Sequence, residues 1–197
     1  MARNYLGKQI SLEVYHGVPK GWYAAEVIAE HALLCGTYDI RGPEATEPGA
    51  PAWLPERYEW LQYRATVYRI ADGVRADDPA CIELAVRFIE LRHIGSYSGF
   101  LRERLSRCLR HAALTPELQD RLHWHFRDLV RREEMTNEFR EYLRLWRRII
   151  TDAQVHELRL ELERYAAGKV RPMWLLNKLR PNGGFDLTNC ATASRAP

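Results

Sequence analysis

Between Asp77 and Ile150 the apolar residues return every three or four positions in four successive runs, each bracketed by helix start and stop signals. That spacing keeps one face of a helix apolar, where a strand would alternate. The first run is Ile82, Leu84, Ala85, Val86, Phe88, Ile89 and Leu91; it confines Glu83, Arg87 and Glu90 to a narrow polar strip and predicts a helix covered on two sides. Asp78-Pro79 opens it, because an N-cap aspartate accepts from an orphan amide and a proline at the first helical position lacks only an amide without a partner. Gly95 is expected to stop it in the left-handed conformation. The second helix, after Ser96–Gly99, carries Leu101, Leu105, Cys108, Leu109 and Ala112, with Arg104, Arg107, Arg110 and His111 opposite. Thr115-Pro116 opens the third, built on Leu118, Leu122, Phe126 and Leu129. Thr136-Asn137 is expected to cap the fourth, with Phe139, Tyr142, Leu143, Trp146, Ile149 and Ile150 inward.

The same reading extends outward from this stretch. Residues 1–19 alternate briefly at Ile10, Leu12 and Val14 and suggest an N-terminal arm laid across the helices. A helix is expected over Pro19–Cys35, ended by Gly36, and another over Trp53–Asp72 with Trp60, Tyr63, Val67 and Ile70 inward, followed by Gly73. Between them, residues 37–55 hold four prolines and two glycines, so neither helix nor ladder persists; a lid or partner contact is one use for such a loop. Thr151 and Gln154 form a capping box that opens a helix to about Ala167. Pro172–Leu179 suggests a short helix capping the stack through Trp174, Leu175 and Leu176, and residues 180–197 suggest a flexible tail. The prediction is an all-α protein of about seven helices in antiparallel hairpins, one domain over residues 1–197, either stacked or closed into a bundle.

A shift of 38 residues superposes one helix pair on the next. Leu84, Phe88 and Leu91 fall on Leu122, Phe126 and Leu129, and Leu101, Leu105, Cys108 and Ala112 fall on Phe139, Leu143, Trp146 and Ile150. The same step backward brings Tyr63, Val67 and Ile70 under Leu101, Leu105 and Cys108. Over residues 54–150 this spacing resembles HEAT-type and related α-repeat proteins, whose units run roughly 40–47 residues. The resemblance rests on core spacing alone, without a family-specific motif. It implies a scaffold that binds other macromolecules along a helix-lined face.

Composition narrows the chemistry. Hydrophobic residues make up 46% of the 197, which excludes disorder for most of the chain. Only Lys8, Lys20, Lys169 and Lys178 are lysines among 29 basic residues, so arginine dominates; a GC-rich coding sequence accounts for that as readily as phosphate contacts do. Cys35, Cys81, Cys108 and Cys190 form no pair motif, and two of them lie on apolar faces, which points to free thiols in a reducing compartment. No apolar run approaches the ~18 residues of a membrane span. The expectation is a soluble cytoplasmic protein without membrane association.

Two surface features stand out. Arg140, Arg144 and Arg147 recur along one side of the fourth helix with Arg148 at their border, a ridge of planar forks suited to carboxylate or phosphate. A solvated face paired with Glu133, Glu134, Glu138 and Glu141 is the plain alternative. Trp124 points away from Leu118, Leu122 and Phe126 and stands among Arg121, Arg127 and Arg131, the composition of a protein–protein hot spot or a base-stacking platform. Burial under another helix is the alternative here.

No catalytic or metal set emerges. His123 and His125 are two apart and diverge on a helix. Glu90/His93 and Asp120/His123 have Glu-x-x-His-like spacing, but Glu90 lies on the polar strip, away from a bundle interior. Ser96–Gly99 at a helix start could hold an anion, though a connecting turn explains it. No serine sits in a Gly-x-Ser-x-Gly elbow. The functional expectation is a non-enzymatic adaptor or inhibitor without metal or cofactor, binding an acidic protein through Trp124, Arg121, Arg127, Arg131, Arg140, Arg144, Arg147 and Arg148. Nucleic-acid binding through the same ridge is the alternative, and a helical enzyme with residues 37–55 as its lid is the third.

Overall fold

The computed structural model describes residues 2–3, 9–10, 14–15, 17–42, 55–91, 94–95, 97–165 and 172–179. The chain is all-α. Its helices are α1 (Ala24–Leu33), α2 (Pro55–Arg75), α3 (Pro79–Glu90), α4 (Ser98–Leu109), α5 (Pro116–Arg131), α6 (Phe139–Ile149), α7 (Asp152–Tyr165) and α8 (Pro172–Leu179). Among the described residues four two-residue strands accompany them: β1 (Ala2–Arg3) runs antiparallel to β2 (Gln9–Ile10), and β3 (Val14–Tyr15) runs parallel to β4 (Ile94–Gly95). The chain divides into two compact units, Met1–Ile150 and Thr151–Pro197. In the second, α7 and α8 pack on one another, and Leu158, Leu175, Leu176 and Leu179 are buried. Residues 43–54 of the Pro/Gly-rich segment and the tail from 180 lie outside the described residues, as does the lid assigned to the former.

Three helix starts follow their capping chemistry. The Asp78 carboxylate accepts from the Cys81 amide at 2.8 Å, with Pro79 next in line. The Thr115 hydroxyl accepts from the Leu118 amide, and Thr151 and Gln154 bond reciprocally at 3.0 and 3.2 Å. The start of α6 differs from the expected Thr136-Asn137 cap. Glu138 takes the N-cap position without a capping side-chain bond, because its carboxylate is drawn into a buried pair with Arg102 of α4.

The expected glycine stops also shift. Gly95 lies in β4, and α3 ends in an extended Leu91 instead. At the end of α1, where Gly36 was expected to stop the helix, the left-handed residue is Cys35, at φ 57. Gly73 is inside α2, which continues to Arg75, and Asp77 makes the turn at φ 56. The reason is packing: a Cβ on Gly73 would stand 2.3 Å from Cys81 Sγ, so the glycine lets α3 approach α2 closely.

Within Met1–Ile150 the contacts form two layers. Helices α1, α3 and α5 follow one another in one layer, α2, α4 and α6 in the other, and each odd helix packs on the even helix that follows it. Several core positions matched by the 38-residue shift are buried in both copies, Leu84 and Phe88 like Leu122 and Phe126, and Leu101, Leu105 and Cys108 like Phe139, Leu143 and Trp146, whereas buried Val86 falls on exposed Trp124 and buried Ala112 on half-buried Ile150. The core is aromatic at the last hairpin, where Phe126 stacks on Tyr142 with centroids 4.9 Å apart and meets Trp146 at 5.8 Å.

Candidate functional site

Helix α5 turns Trp124 outward. Its side chain is 56% exposed, and the Arg127 guanidinium lies over the indole at 4.6 Å from the ring centroid. That cation–π contact stiffens an exposed aromatic and lowers the entropy lost when it is covered. Beside it opens a cleft of about 640 Å³ lined by Glu90, Glu117, Asp120, Arg121, Trp124 and His125. The surroundings of Trp124 are thus divided: acidic toward the N-terminal half of α5, basic toward Arg127 and the exposed Arg131.

Arg121 has a different position from its neighbours. Its guanidinium donates to both oxygens of Glu83 at 2.9 Å and to both of Glu90 at 3.1 and 2.6 Å, a clamp between α5 and α3. Bonding to Glu90 and Glu83, against a smaller opposing effect of burial, raises its pKa further above the arginine range. The polar strip of α3 therefore faces α5, and Arg121 holds the fold.

On α6, Arg140, Arg144, Arg147 and Arg148 are all exposed. Arg144 pairs with Glu141 one turn away. Arg148 reaches back to the carbonyls of Leu109 and Arg110, neutralising the negative end of α4. The ring pairs Phe126–Tyr142 and His123–Trp146 fix the antiparallel register of α5 and α6. Along the axis this sets Trp124 level with Arg144, Arg127 level with the first turn of α6 and Arg131 level with the residues just before it. The basic half of α5 and the arginine ridge of α6 thus belong to one hairpin.

The other sequence candidates do not converge. The Trp146 indole donates to His123 Nδ1 at 3.0 Å inside the core, while Asp120 is exposed. Glu90 is held by Arg121, and His93 lies outside the described residues. Ser98 closes a turn by exchanging bonds with the Gly95 amide and carbonyl, both at 3.0 Å.

A cluster missed at the sequence level lies under the first helices. His31 Nε2 is 3.3 Å from Asp78 Oδ1 and 3.4 Å from Cys81 Sγ, and all three residues are buried. Asp78 Oδ2 accepts from the Thr37 amide and hydroxyl and from the Tyr38 amide. Burial raises the Asp78 carboxyl, but the bonds from Cys81, Tyr38 and Thr37 outweigh it and hold the group well below the usual carboxylate range. Burial, reinforced by Asp78, pushes the Cys81 thiol up. The set is not a nucleophilic triad. Cysteine and aspartate both meet the same imidazole nitrogen, whereas a triad needs them on opposite ones. Its signal in the sequence was faint: His31 sits one turn after the buried Val27, 47 residues from Asp78.

No family model, no curated protein and no solved structure matches this chain.

Proposed function

We propose that Met1–Ile150 is a short α-repeat scaffold of HEAT-like type, and that its last hairpin, α5–α6, docks an acidic segment of a protein partner. Trp124 is the anchor. Arg127 and Arg131 flank it, and Arg140, Arg144, Arg147 and Arg148 supply the electrostatic contact that steers association. Arg121 has a supporting role, holding α5 on α3. The observation that carries this reading is the exposure of a tryptophan under an arginine, since large rigid side chains of this kind dominate binding energy at interfaces. The two-layer order of helices supports the repeat reading.

Glu117 and Asp120 on one side of Trp124 would repel any anionic partner, so the acidic segment is placed on the side of Arg127 and Arg131. The free thiols Cys35, Cys81 and Cys108 suit a reducing compartment such as the cytoplasm. None of the described helices is long and apolar enough to cross a membrane.

Titration of a fluorescent Glu/Leu peptide and of single-stranded DNA of equal charge tests the reading. The peptide is expected to bind, with an affinity lowered by roughly tenfold or more in Trp124→Ala. DNA that binds more tightly, with a log–log salt slope of about −0.7 per phosphate neutralised, would replace the proposal with its nucleic-acid alternative.

A further inference from the structure

We propose that His31, Asp78 and Cys81 bind one divalent transition-metal ion, zinc by the character of the donors, and that this ion fastens the end of α1 to the start of α3. The three ligand atoms, His31 Nε2, Asp78 Oδ1 and Cys81 Sγ, all lie within 4.8 Å of one another, with the two measured separations 3.3 and 3.4 Å. Tetrahedral zinc takes nitrogen and oxygen at about 2.0–2.2 Å and thiolate sulfur at about 2.3 Å, which sets neighbouring ligand atoms about 3.3–3.6 Å apart. Those two separations fit that polyhedron, and the third, Asp78 Oδ1 to Cys81 Sγ, is no more than 4.8 Å. The arrangement fits a hydrogen-bond network less well, since one imidazole nitrogen faces two partners, and its distance to the carboxylate exceeds the roughly 2.7–2.9 Å of a charge-assisted bond.

The surroundings are built for ligation. Every remaining acceptor site of the carboxylate used here is fixed: Oδ1 takes the Cys81 amide at 2.8 Å, and Oδ2 takes the Thr37 amide at 2.6 Å, the Thr37 hydroxyl at 3.1 Å and the Tyr38 amide at 2.8 Å. Bonds of this kind orient a metal-binding carboxylate. Two glycines wall the site. A Cβ on Gly36 would stand 2.1 Å from both Cε1 and Nε2 of His31, so the backbone lies against the face of the ring and leaves its in-plane lone pair clear. A Cβ on Gly73 would strike Cys81 Sγ at 2.3 Å.

Binding displaces the Cys81 thiol proton to solvent, and His31 coordinates through the Nε2 lone pair with its proton on Nδ1. A dication with one thiolate, one carboxylate and one neutral imidazole is electrically neutral, so the site can be buried without stranded charge. His31, Asp78 and Cys81 are 5%, 3% and 0% exposed, which suits a fastening ion rather than an open Lewis acid.

The test uses the full chain purified without a histidine tag. Elemental analysis is expected to find one zinc per chain, and cobalt(II) added to chelator-treated protein is expected to give a thiolate-to-cobalt charge-transfer band saturating at one equivalent. Cys81→Ser should lose the band, while Cys108→Ser, which removes another buried thiol, should keep it. Wild-type protein with neither retained metal nor a cobalt band overturns the proposal whatever the variants do. A band that survives in Cys81→Ser overturns it too, by placing the ion elsewhere. Neither result bears on peptide binding at α5–α6.

Discussion

Gly73 shows how one missing methyl group decides a helix contact. Alanine is the better helix former by roughly 1 kcal/mol, yet a Cβ there would meet Cys81 Sγ at 2.3 Å. The steric effect should win: Gly73→Ala is expected to destabilise the protein by about 1–2 kcal/mol after that offset, read from the urea midpoint. A gain in stability would mean that α2 and α3 are less closely packed. Arg102 and Glu138 give the electrostatic counterpart. Both are buried, with the guanidinium bonded to the carboxylate at 2.6 and 2.8 Å. Removing one partner strands the other, so Glu138→Ala should cost about 3–5 kcal/mol, and replacing both residues by methionine much less. Equal losses in the single and double variants would contradict this.

At the scale of the element, start signals were legible wherever they were local. Asp78, Thr115 and the Thr151/Gln154 pair act over three residues, and each caps as its sequence implies. Glu138 could not be read this way, because its partner lies 36 residues away. The same limit hid Arg121. A helical wheel puts it beside Trp124, but the polar strip of α3 lies alongside α5 and takes its guanidinium. This clamp has a pH signature. Burial raises the Glu83 carboxyl, but hydrogen bonds from Arg87 and Arg121 prevail and lower it below its ordinary value. A carboxyl lowered by folding contributes stability that is present above its unfolded value, about 4.3, and lost as pH falls through its folded value. Arg121→Met should therefore lower stability by roughly 1–2 kcal/mol at neutral pH and flatten the acid limb of the stability curve below about pH 4. Parallel acid limbs in the two proteins would show that the clamp is energetically idle.

Across the whole molecule, the 38-residue spacing was the most informative part of the sequence. It pairs core positions such as Phe88 with Phe126 and helices that are neighbours within a layer, α3 with α5 and α4 with α6, although it also sets buried Val86 on exposed Trp124. The His31–Asp78–Cys81 cluster was invisible to it, since these residues meet between α1 and α3 through chance-looking positions 47 and 50 apart. The exposed indole of α5 and the arginine ridge of α6 stand on this last hairpin of Met1–Ile150. If that hairpin is a docking surface, its anchor can be removed without harm to the fold. The most direct measurement pairs peptide affinity with melting temperature for Trp124→Ala against wild type. The expected result is affinity reduced by roughly tenfold or more with stability changed by no more than about 0.5 kcal/mol, as for a solvent-facing residue. Unchanged affinity with a fall in melting temperature of several degrees would place Trp124 in the core and contradict the account.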